Sequence, residues 1–305
     1  MIVDPNVFAT GTVVAPVTSS VAPIPTVIPG SPPIYETASE TGHRTLWVVV
    51  VLMGLSSLAF YGMALRVPAQ KRLFHILTAF ITTFAFLSYF ALATGDGITY
   101  HHFVKTESHK HGLPDTYQDI YRQVYWARYV DWSITTPLLL LDLSLLAGLS
   151  GANILVAVVA DLIMILTGLF AAFGSHKGQR WGWYAWACIA FLVIVYQIGF
   201  NGRKSVAGKN NKTKAFVISI STFTLVLWAL YPIIWAIADG ARIINVNSEI
   251  IAYAVLDLLA KPVFGFWLLL THDKMTFDSP TFGGFWAEGF GQEGTIRVGD
   301  DDEGA

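Results

Sequence analysis

The sequence predicts an all-α membrane protein with seven transmembrane helices. Hydrophobic residues make up 54% of the 305 residues and charged residues only 13%. Soluble domains carry about a quarter charged residues, so this composition favours a chain whose solvent is largely lipid. Seven segments reach the roughly 20 mostly apolar residues that a bilayer-spanning helix needs. They are Leu46–Leu65, Leu73–Thr94, Tyr121–Leu149, Ala152–Phe173, Trp181–Phe200, Ala215–Ala238 and Ser248–Thr271.

The distribution of basic residues predicts the orientation of these helices. Lysine and arginine concentrate in the loops after the first and fifth segments, at residues 66–72 and 201–214. Basic loops remain in the cytoplasm, so the N-terminus is expected outside and the C-terminus inside. An odd number of spans requires the two ends to lie on opposite sides, which agrees with this assignment. We therefore expect an integral, multi-pass protein of the plasma membrane.

Three regions follow from the composition. Residues 1–42 are rich in Pro and Thr and contain no Lys or Arg, so we expect a disordered extracellular tail. Residues 43–272 form the predicted transmembrane domain. Residues 273–305 are Gly-rich and end in a run of acidic residues, which indicates a solvated cytoplasmic tail.

Several other classes of function find no support in the sequence. The formal net charge of −2 gives no indication of a nucleic-acid partner. Cys188 is the single cysteine, which excludes an internal disulfide and is typical of a small core residue. A group of histidines lies in one external loop without the ligand spacing of a metal site, so no metal is expected; its members are His101, His102, His109 and His111.

The third segment contains ionisable residues that are costly inside a membrane. Arg128, Asp131 and Thr135 recur at spacings of three and four, so they share one helix face. Asp142 follows Asp131 by eleven residues, about three turns and roughly 16 Å, and returns to nearly the same face. Intramembrane charges usually mark an ion path or the counter-ion of a ligand. The formation of buried salt bridges would by itself be a weak reason for these charges, because apolar residues in their place are often equally or more stabilising.

The seventh segment carries Asp257 and Lys261, four residues apart on one face. A desolvated lysine can condense with an aldehyde to form a Schiff base. The protonated form is a cation in a medium of low dielectric and needs an adjacent anion, which Asp131 or Asp257 can provide. Aromatic residues in neighbouring segments, such as Trp183 and Trp186, are suited to holding a long conjugated ligand.

Three stretches resemble microbial (type 1) rhodopsins of the bacteriorhodopsin-like kind. Tyr125–Leu143 is similar to their third helix, Trp228–Trp235 to their sixth and Leu256–Lys261 to their retinal-binding seventh. The likeness extends over all seven segments, and the Pro-rich tail is most similar to the fungal proton-pumping members. The resemblance implies a light-driven outward proton pump rather than an enzyme, with protons as its cargo.

The resemblance also implies a role for individual residues. Lys261 is expected to hold all-trans retinal as a covalent Schiff base. On the expected proton path Asp131 is the counter-ion and proton acceptor, Asp257 is the second counter-ion, and Arg128 and Thr135 lie near them. Asp142 is the expected proton donor, with Thr78 as its hydrogen-bond partner. Glu249 and Asp239 are the expected release group. The expected retinal pocket comprises Trp132, Thr136, Asp161, Met164, Tyr184, Trp228, Tyr231 and Trp235, with Tyr89 beside it.

The physics of the two carboxyl groups is consistent with that division of roles. Asp131, beside a cation, is expected to stay ionised, and Asp142, within the apolar run Leu138–Leu146, is expected to stay protonated. The sequence departs from the family at Pro262, which follows the lysine directly and predicts a strained or kinked turn. A second departure, Ala238-Asp239-Gly240, leaves the release role of Asp239 open.

The main alternative is a photosensory rhodopsin that signals through a partner protein. A sensor would share Lys261, Asp131 and the aromatic residues, but the carboxyl donor Asp142 favours pumping. A light-gated channel is disfavoured because no extra row of polar residues lines the segments. A chloride or sodium pump would differ at Asp131 or Thr135. The presence of Lys261 excludes a chaperone-like relative, which would lack this lysine. The carboxylates within the membrane disfavour a hormone receptor. Whether the protein forms a homo-oligomer stays open.

Overall fold

The computed structural model describes residues 32–108 and 115–274, and within them seven helices are long and apolar enough to cross a membrane. The prediction of a seven-helix membrane protein is therefore confirmed. The helices are α1 (Glu40–Leu65), α2 (Leu73–Thr94), α3 (Ala127–Ala147), α4 (Gly151–Ala172), α5 (Lys177–Ser205), α6 (Asn211–Gly240) and α7 (Val246–Lys274).

Five helices, α1 and α4 to α7, begin earlier than hydropathy predicts, whereas α2 agrees with the prediction at both ends and α3 begins later. At the starts of α4, α6 and α7 a polar side chain caps the helix, which a hydropathy window does not detect. The Asn210 side chain accepts a hydrogen bond of 2.8 Å from the backbone N–H of Thr213, and Asn245 accepts one of 2.8 Å from Ser248. These oxygens satisfy backbone donors that the first turn leaves without partners.

The all-α prediction missed a three-stranded sheet, which has one strand before α1 and two strands between α2 and α3. Its strands are β1 (Ile34–Glu36), β2 (Thr99–Glu107) and β3 (Thr116–Val124), in the spatial order β1-β3-β2. Two predicted boundaries were consequently wrong. The third span starts at Ala127 rather than Tyr121, and residues 34–36 and 40–42 of the predicted tail belong to β1 and α1.

The chain divides into two compact units. Of the smaller unit, the structure describes residues 32–35, 102–108 and 115–121, with Tyr35 stacked on Tyr121 at 5.2 Å and His102 Nε2 lying 2.7 Å from Asp119 Oδ1. The larger unit holds all seven helices. His109, His111, residues 1–31 and the predicted acidic tail from residue 275 lie outside the described residues.

Contacts within the larger unit define its two ends. Ser39 donates its backbone N–H to Asn247 Oδ1 at 2.9 Å, so α1 and α7 begin at the same end, which we call the Glu40 end. At the opposite end, which we call the Lys274 end, His75 Nε2 near the start of α2 lies 3.6 Å from Asp273 Oδ2 near the end of α7.

Three helices contain a turn of π-helix. These turns are Tyr196–Asn201 in α5, Ala236–Gly240 in α6 and Leu259–Val263 in α7. The last contains both Lys261 and Pro262. Proline has no N–H to donate and disfavours regular helix, so the departure expected at Pro262 takes the form of a widened turn.

The core of the Lys274 half is packed closely around Gly265 of α7. A Cβ atom at this position would lie 2.4 Å from Thr78 Cγ2 and 2.7 Å from Phe60 Cζ. Glycine therefore lets α7 approach α1 and α2 more closely than any other residue would allow. Gly62 in α1, by contrast, is exposed and has no atom within 4 Å of its Cβ position.

We expect Gly265→Ala to lower the free energy of unfolding by about 1–3 kcal/mol, because the methyl group overpacks a dense interior. Gly62→Ala is the matched control and is expected to cause no loss. Thermal denaturation of both variants in the same detergent measures the difference. Equal stability of the two variants would contradict the close approach at Gly265.

Candidate functional site

Lys261 lies in the middle of α7 and is almost completely buried, at 2% exposure. Its Nζ atom donates to Asp257 Oδ1 at 2.7 Å and to Asp131 Oδ2 at 2.9 Å. The i,i+4 spacing on α7 sets the first contact, and α3 contributes the second. The buried cation thus has two carboxylate partners, which offsets the cost of its removal from water.

Asp257 is held by many hydrogen-bond donors. Tyr89 donates its hydroxyl to Oδ2 at 2.6 Å, and Tyr231 donates to Oδ1 at 2.8 Å. Trp132 Nε1 and Lys261 Nζ also donate to Oδ1, at 3.4 Å and 2.7 Å. A carboxylate with this many donors is stabilised as an anion, so Asp257 is a fixed negative charge.

Asp131 is held much less firmly. Lys261 is the partner of its Oδ2 atom, while Oδ1 has no hydrogen-bond partner among the residues that the structure describes. The hydroxyl of Thr135 donates at 2.9 Å to the backbone oxygen of Asp131 and not to its carboxylate. The two carboxylates beside Lys261 are therefore unequal, and Asp131 has the free oxygen.

An apolar cavity lies between the helices, and Lys261 is part of its lining. Seven of the residues predicted to surround retinal line it: Trp132, Thr136, Met164, Tyr184, Trp228, Tyr231 and Trp235. Asp161 and Tyr89 lie behind the wall and act through hydrogen bonds to Thr136 and Asp257. Cys188 also lines the cavity, whereas Trp186 is 58% exposed and does not.

This cavity fits a retinoid. The wall is aromatic and aliphatic, as a polyene requires, and the primary amine of Lys261 is part of it, with two carboxylates to balance its charge. Tyr184 and Trp235 stack with ring centroids 5.0 Å apart and give one side of the cavity a rigid surface.

The hydrogen bonds of Thr136 indicate the protonation state of Asp161. Thr136 Oγ1 lies 2.6 Å from the backbone oxygen of Trp132 and 2.6 Å from Asp161 Oδ2. One hydroxyl proton cannot serve both oxygens. Both contacts are satisfied if Asp161 is a neutral acid that donates to Thr136. Asp161 is then a structural hydrogen-bond donor behind the cavity rather than a charge.

Asp142 lies farther along α3, toward the Lys274 end, and is completely buried. Thr78 of α2 is its hydrogen-bond partner, at 3.4 Å from Oδ2, and Oδ1 has none within the described part of the chain. Leu139, one turn earlier, and Leu143, the next residue, belong to the apolar core. An ionised carboxylate without a cation would be very costly here, so Asp142 is a protonated acid.

Glu249 occupies the Glu40 half of the bundle and is clamped by two arginines. Arg128 Nη1 donates to Oε1 at 2.9 Å, and Arg122 Nη2 donates to Oε2 at 2.9 Å. Arg122 also donates to Glu36 Oε2 at 2.8 Å. The guanidinium of Arg128 lies 4.2 Å from the ring centroid of Tyr253, a cation–π contact.

Asp239 completes this cluster of charges and lies buried in the π turn of α6. Although burial by itself lowers the pKa of Arg122, the negative charges of Glu249 and Asp239 raise it overall. Arg242, near Asp239, shows the opposite balance, because burial and then the positive charge of Arg180 lower its pKa to about 10.

Sequence reasoning missed Arg122. It lies near the end of β3, in a stretch that was assigned to the third transmembrane helix. Nothing in the sequence indicated which neighbours this arginine would contact. The structure brings it to Glu249, which is 127 residues away in the chain. Tyr253 was also missed, although it follows Glu249 by four residues and so lies on the same face of α7.

Comparisons with known proteins agree with this geometry. Residues 41–275 match the family model of bacteriorhodopsin-like proteins. Opsin-1 of Neurospora crassa is 50% identical over 282 residues, which cover 92% of each chain. The light-driven proton pump LR (Mac) of Leptosphaeria maculans is 56% identical, with a TM-score of 0.78 over 79% of this chain and 98% of that one. Halorhodopsin, a light-driven chloride pump, is 30% identical, with a TM-score of 0.66 over 76% and 95%.

We expect Arg122→Met to lower the free energy of unfolding by about 3 kcal/mol, because it removes one cation from a buried ion-pair cluster. Lys105→Met removes an exposed ion pair with Glu107 and is expected to cause no measurable change. Equilibrium unfolding in mixed micelles measures both. If the two variants unfold alike, the clamp on Glu249 does not depend on Arg122.

Proposed function

The chain belongs to the family of bacteriorhodopsin-like proteins, and on that premise we propose that it is a light-driven pump that exports protons from the cell. We further propose that Lys261 holds all-trans retinal as a Schiff base in the apolar cavity. The observation that carries the proposal is the placement of three acids. Asp131 and Asp257 both accept hydrogen bonds from Lys261 but differ in the number of their other partners. The third acid, Asp142, lies toward the Lys274 end in apolar surroundings.

Retinal supplies the absorption of light and, by changing shape, alters the environment and proton affinity of the nitrogen of Lys261. Asp131 accepts the proton, because its Oδ2 atom lies 2.9 Å from that nitrogen and its Oδ1 atom has no partner among the described residues. Asp257 stays ionised, since Tyr89 and Tyr231 both donate to it. It holds the local charge constant while Asp131 becomes neutral.

Asp142 then returns a proton to the nitrogen of Lys261 from the opposite side. It can do so because it is stored as a neutral acid. The two carboxyl groups are about 16 Å apart along α3, too far for direct exchange, so transport between them must pass the nitrogen of Lys261. Vectorial transport follows if that nitrogen contacts Asp131 when it loses a proton and Asp142 when it regains one.

Release occurs at the Glu40 end through the cluster around Glu249. Neutralisation of Asp131 removes a negative charge that acts on Arg128, so the balance of forces on Arg128 shifts toward Glu249, 2.9 Å away. Glu249 is already paired with two arginines, so we assign the released proton to another group of the cluster. Asp239, which is buried and lacks such a clamp among the described contacts, is suited to that role.

The direction of transport follows from the basic loops. The loop between α1 and α2 and the loop between α5 and α6 lie at the Lys274 end, and basic loops face the cytoplasm. The Glu40 end then faces the exterior, so protons move outward across the plasma membrane. Export of one charge against 100 mV costs about 2.3 kcal/mol, which the light step must store.

A halide pump is disfavoured by the same geometry, although the fold is shared with halorhodopsin. Asp131 and Asp257 already neutralise the cation at Lys261, so no net positive charge remains to bind an anion. A chloride site would need that negative charge to be removed from the Asp131 position.

Transport is tested by the external pH of cells that express the protein, supplied with all-trans retinal and illuminated with green light. We expect acidification that a protonophore abolishes. A coloured protein that leaves the external pH unchanged would overturn the pump and favour the photosensor.

Asp142→Asn is expected to slow the return of the proton to the nitrogen of Lys261 by about 10²-fold, because it removes the internal acid. Asp96→Asn, at an exposed carboxyl group, is the matched control and is expected to behave as the wild type. Flash spectroscopy of the purified proteins measures the return rate. Equal rates in the two variants would show that the donor is another group.

Lys261→Ala is expected to abolish covalent attachment of retinal, whereas Lys209→Ala is expected to retain it. Lys209 is distant from the cavity and donates to the backbone oxygen of Leu146 at 3.3 Å. Borohydride reduction followed by mass spectrometry of the peptides locates the adduct. An adduct on any peptide other than the one with residue 261 would contradict the assignment.

A further inference from the structure

We propose that His75 receives protons at the Lys274 end and relays them to Asp142, a step that rests on the pumping function proposed above. An acid as deeply buried as Asp142 must regain its proton after each transfer. The clamped Glu249 lies toward the Glu40 end, on the other side of Lys261, and cannot supply it. The supply must therefore come from the Lys274 end.

His75 is a buried ionisable group that the function has not yet used. It lies in α2, near the helix start, and its exposed fraction is 0%. Neither ring nitrogen has a hydrogen-bond partner among the residues that the structure describes. A buried polar group without a partner is destabilising, and a leucine or phenylalanine would fill the space without that cost. The imidazole therefore calls for an explanation other than packing.

Asp273 connects His75 to the solvent. Its side chain is 41% exposed, and its Oδ2 atom lies 3.6 Å from His75 Nε2. This separation is slightly longer than a hydrogen bond and is of the length at which a bridging water is expected. A partly exposed carboxylate also attracts protons from bulk water. Asp273 is thus positioned to collect protons and to orient the imidazole.

Thr78 connects His75 to Asp142. Thr78 follows His75 by three residues on α2, so both lie on the same face, about 4.5 Å apart along the axis. The hydroxyl of Thr78 lies 3.4 Å from Asp142 Oδ2. Elsewhere this region belongs to the apolar core, which includes Phe74 and Leu268. His75 and Thr78 therefore form a polar file between an exposed carboxylate and the buried acid.

Other charged groups near His75 modulate the relay. The Nδ1 atom of His272 in α7 lies 3.8 Å from Asp273 Oδ1, and the side chain of His272 is buried. The ring centroid of His272 is 4.9 Å from that of Phe74. Lys71 precedes α2 and acts electrostatically on His272.

The chemistry is a simple exchange of protons. A neutral imidazole gains an N–H bond at one ring nitrogen and loses the N–H bond at the other, so its charge is unchanged after the transfer. The proton that leaves passes by way of the Thr78 hydroxyl to the carboxylate of Asp142, which becomes a neutral acid again. Histidine is suited to this step because its ordinary pKa of about 6.5 lies near neutral pH.

The test is the rate at which Asp142 regains its proton after a flash, followed by the infrared band of its carboxyl group, together with proton uptake reported by a pH-sensitive dye. In His75→Leu we expect reprotonation of Asp142 to slow at least about tenfold. Transfer from Asp142 to the nitrogen of Lys261 is expected to keep its rate. His43→Leu, at an exposed histidine of the Glu40 end, is the matched control.

Two further measurements separate a relay from a merely structural role. Asp273→Asn, at a partly exposed side chain, is expected to fold normally, to slow uptake and to shift the ¹⁵N resonances of His75 in the dark. If His75→Leu fails to fold, this second variant still decides the question.

The outcomes distinguish this proposal from the proposed function. A wild type that takes up protons, combined with unchanged uptake in both His75→Leu and Asp273→Asn, overturns the relay and leaves the pump intact. A wild type that shows no flash-induced proton uptake overturns the pump and the relay together.

Discussion

The arrangement of the site depends on one buried cation, the ammonium of Lys261. A charge at this depth is costly unless oppositely charged groups adjoin it. Asp131 and Asp257 provide two such groups, and this would leave a local excess of negative charge. Hydrogen bonds from Tyr89 and Tyr231 disperse that excess at Asp257. The aromatic residues of α2 and α6 thus stabilise the charges as well as shaping the cavity.

The same constraint separates the roles of the three acids. Asp257 is surrounded by donors and cannot readily accept a proton, whereas Asp131 has a free oxygen beside the amine. Asp142 has no cation near it in the described part of the chain and is stored as a neutral acid. In the pump that we propose, differences in surroundings rather than in chemical type therefore decide which carboxyl group accepts a proton and which donates one.

Hydropathy and spacing predicted the helices and the central residues because both depend on short-range pattern. Asp257 and Lys261 share a face at i,i+4, and Asp131 and Asp142 recur on one face of α3, whatever the tertiary structure. The hairpin of β2 and β3 was missed because the third segment was started at Tyr121, so the last residues of β3 were assigned to the helix that follows. The clamp of Arg122 on Glu249 joins residues far apart in sequence, and no local pattern indicates such a pair. His75 likewise gives little signal, as a single histidine within an apolar run.

The widened turn at Lys261 and Pro262 divides α7 mechanically. A regular helix transmits torque along its whole length, so a displacement at Lys261 would disturb both ends at once. The π turn, with no N–H at Pro262, joins the two halves through fewer hydrogen bonds. The half that begins at Val246 can remain anchored by Glu249 while the half that ends at Lys274 tilts. In the pump that we propose, such a joint lets one gate open while the other stays shut, which prevents protons from leaking back down their gradient.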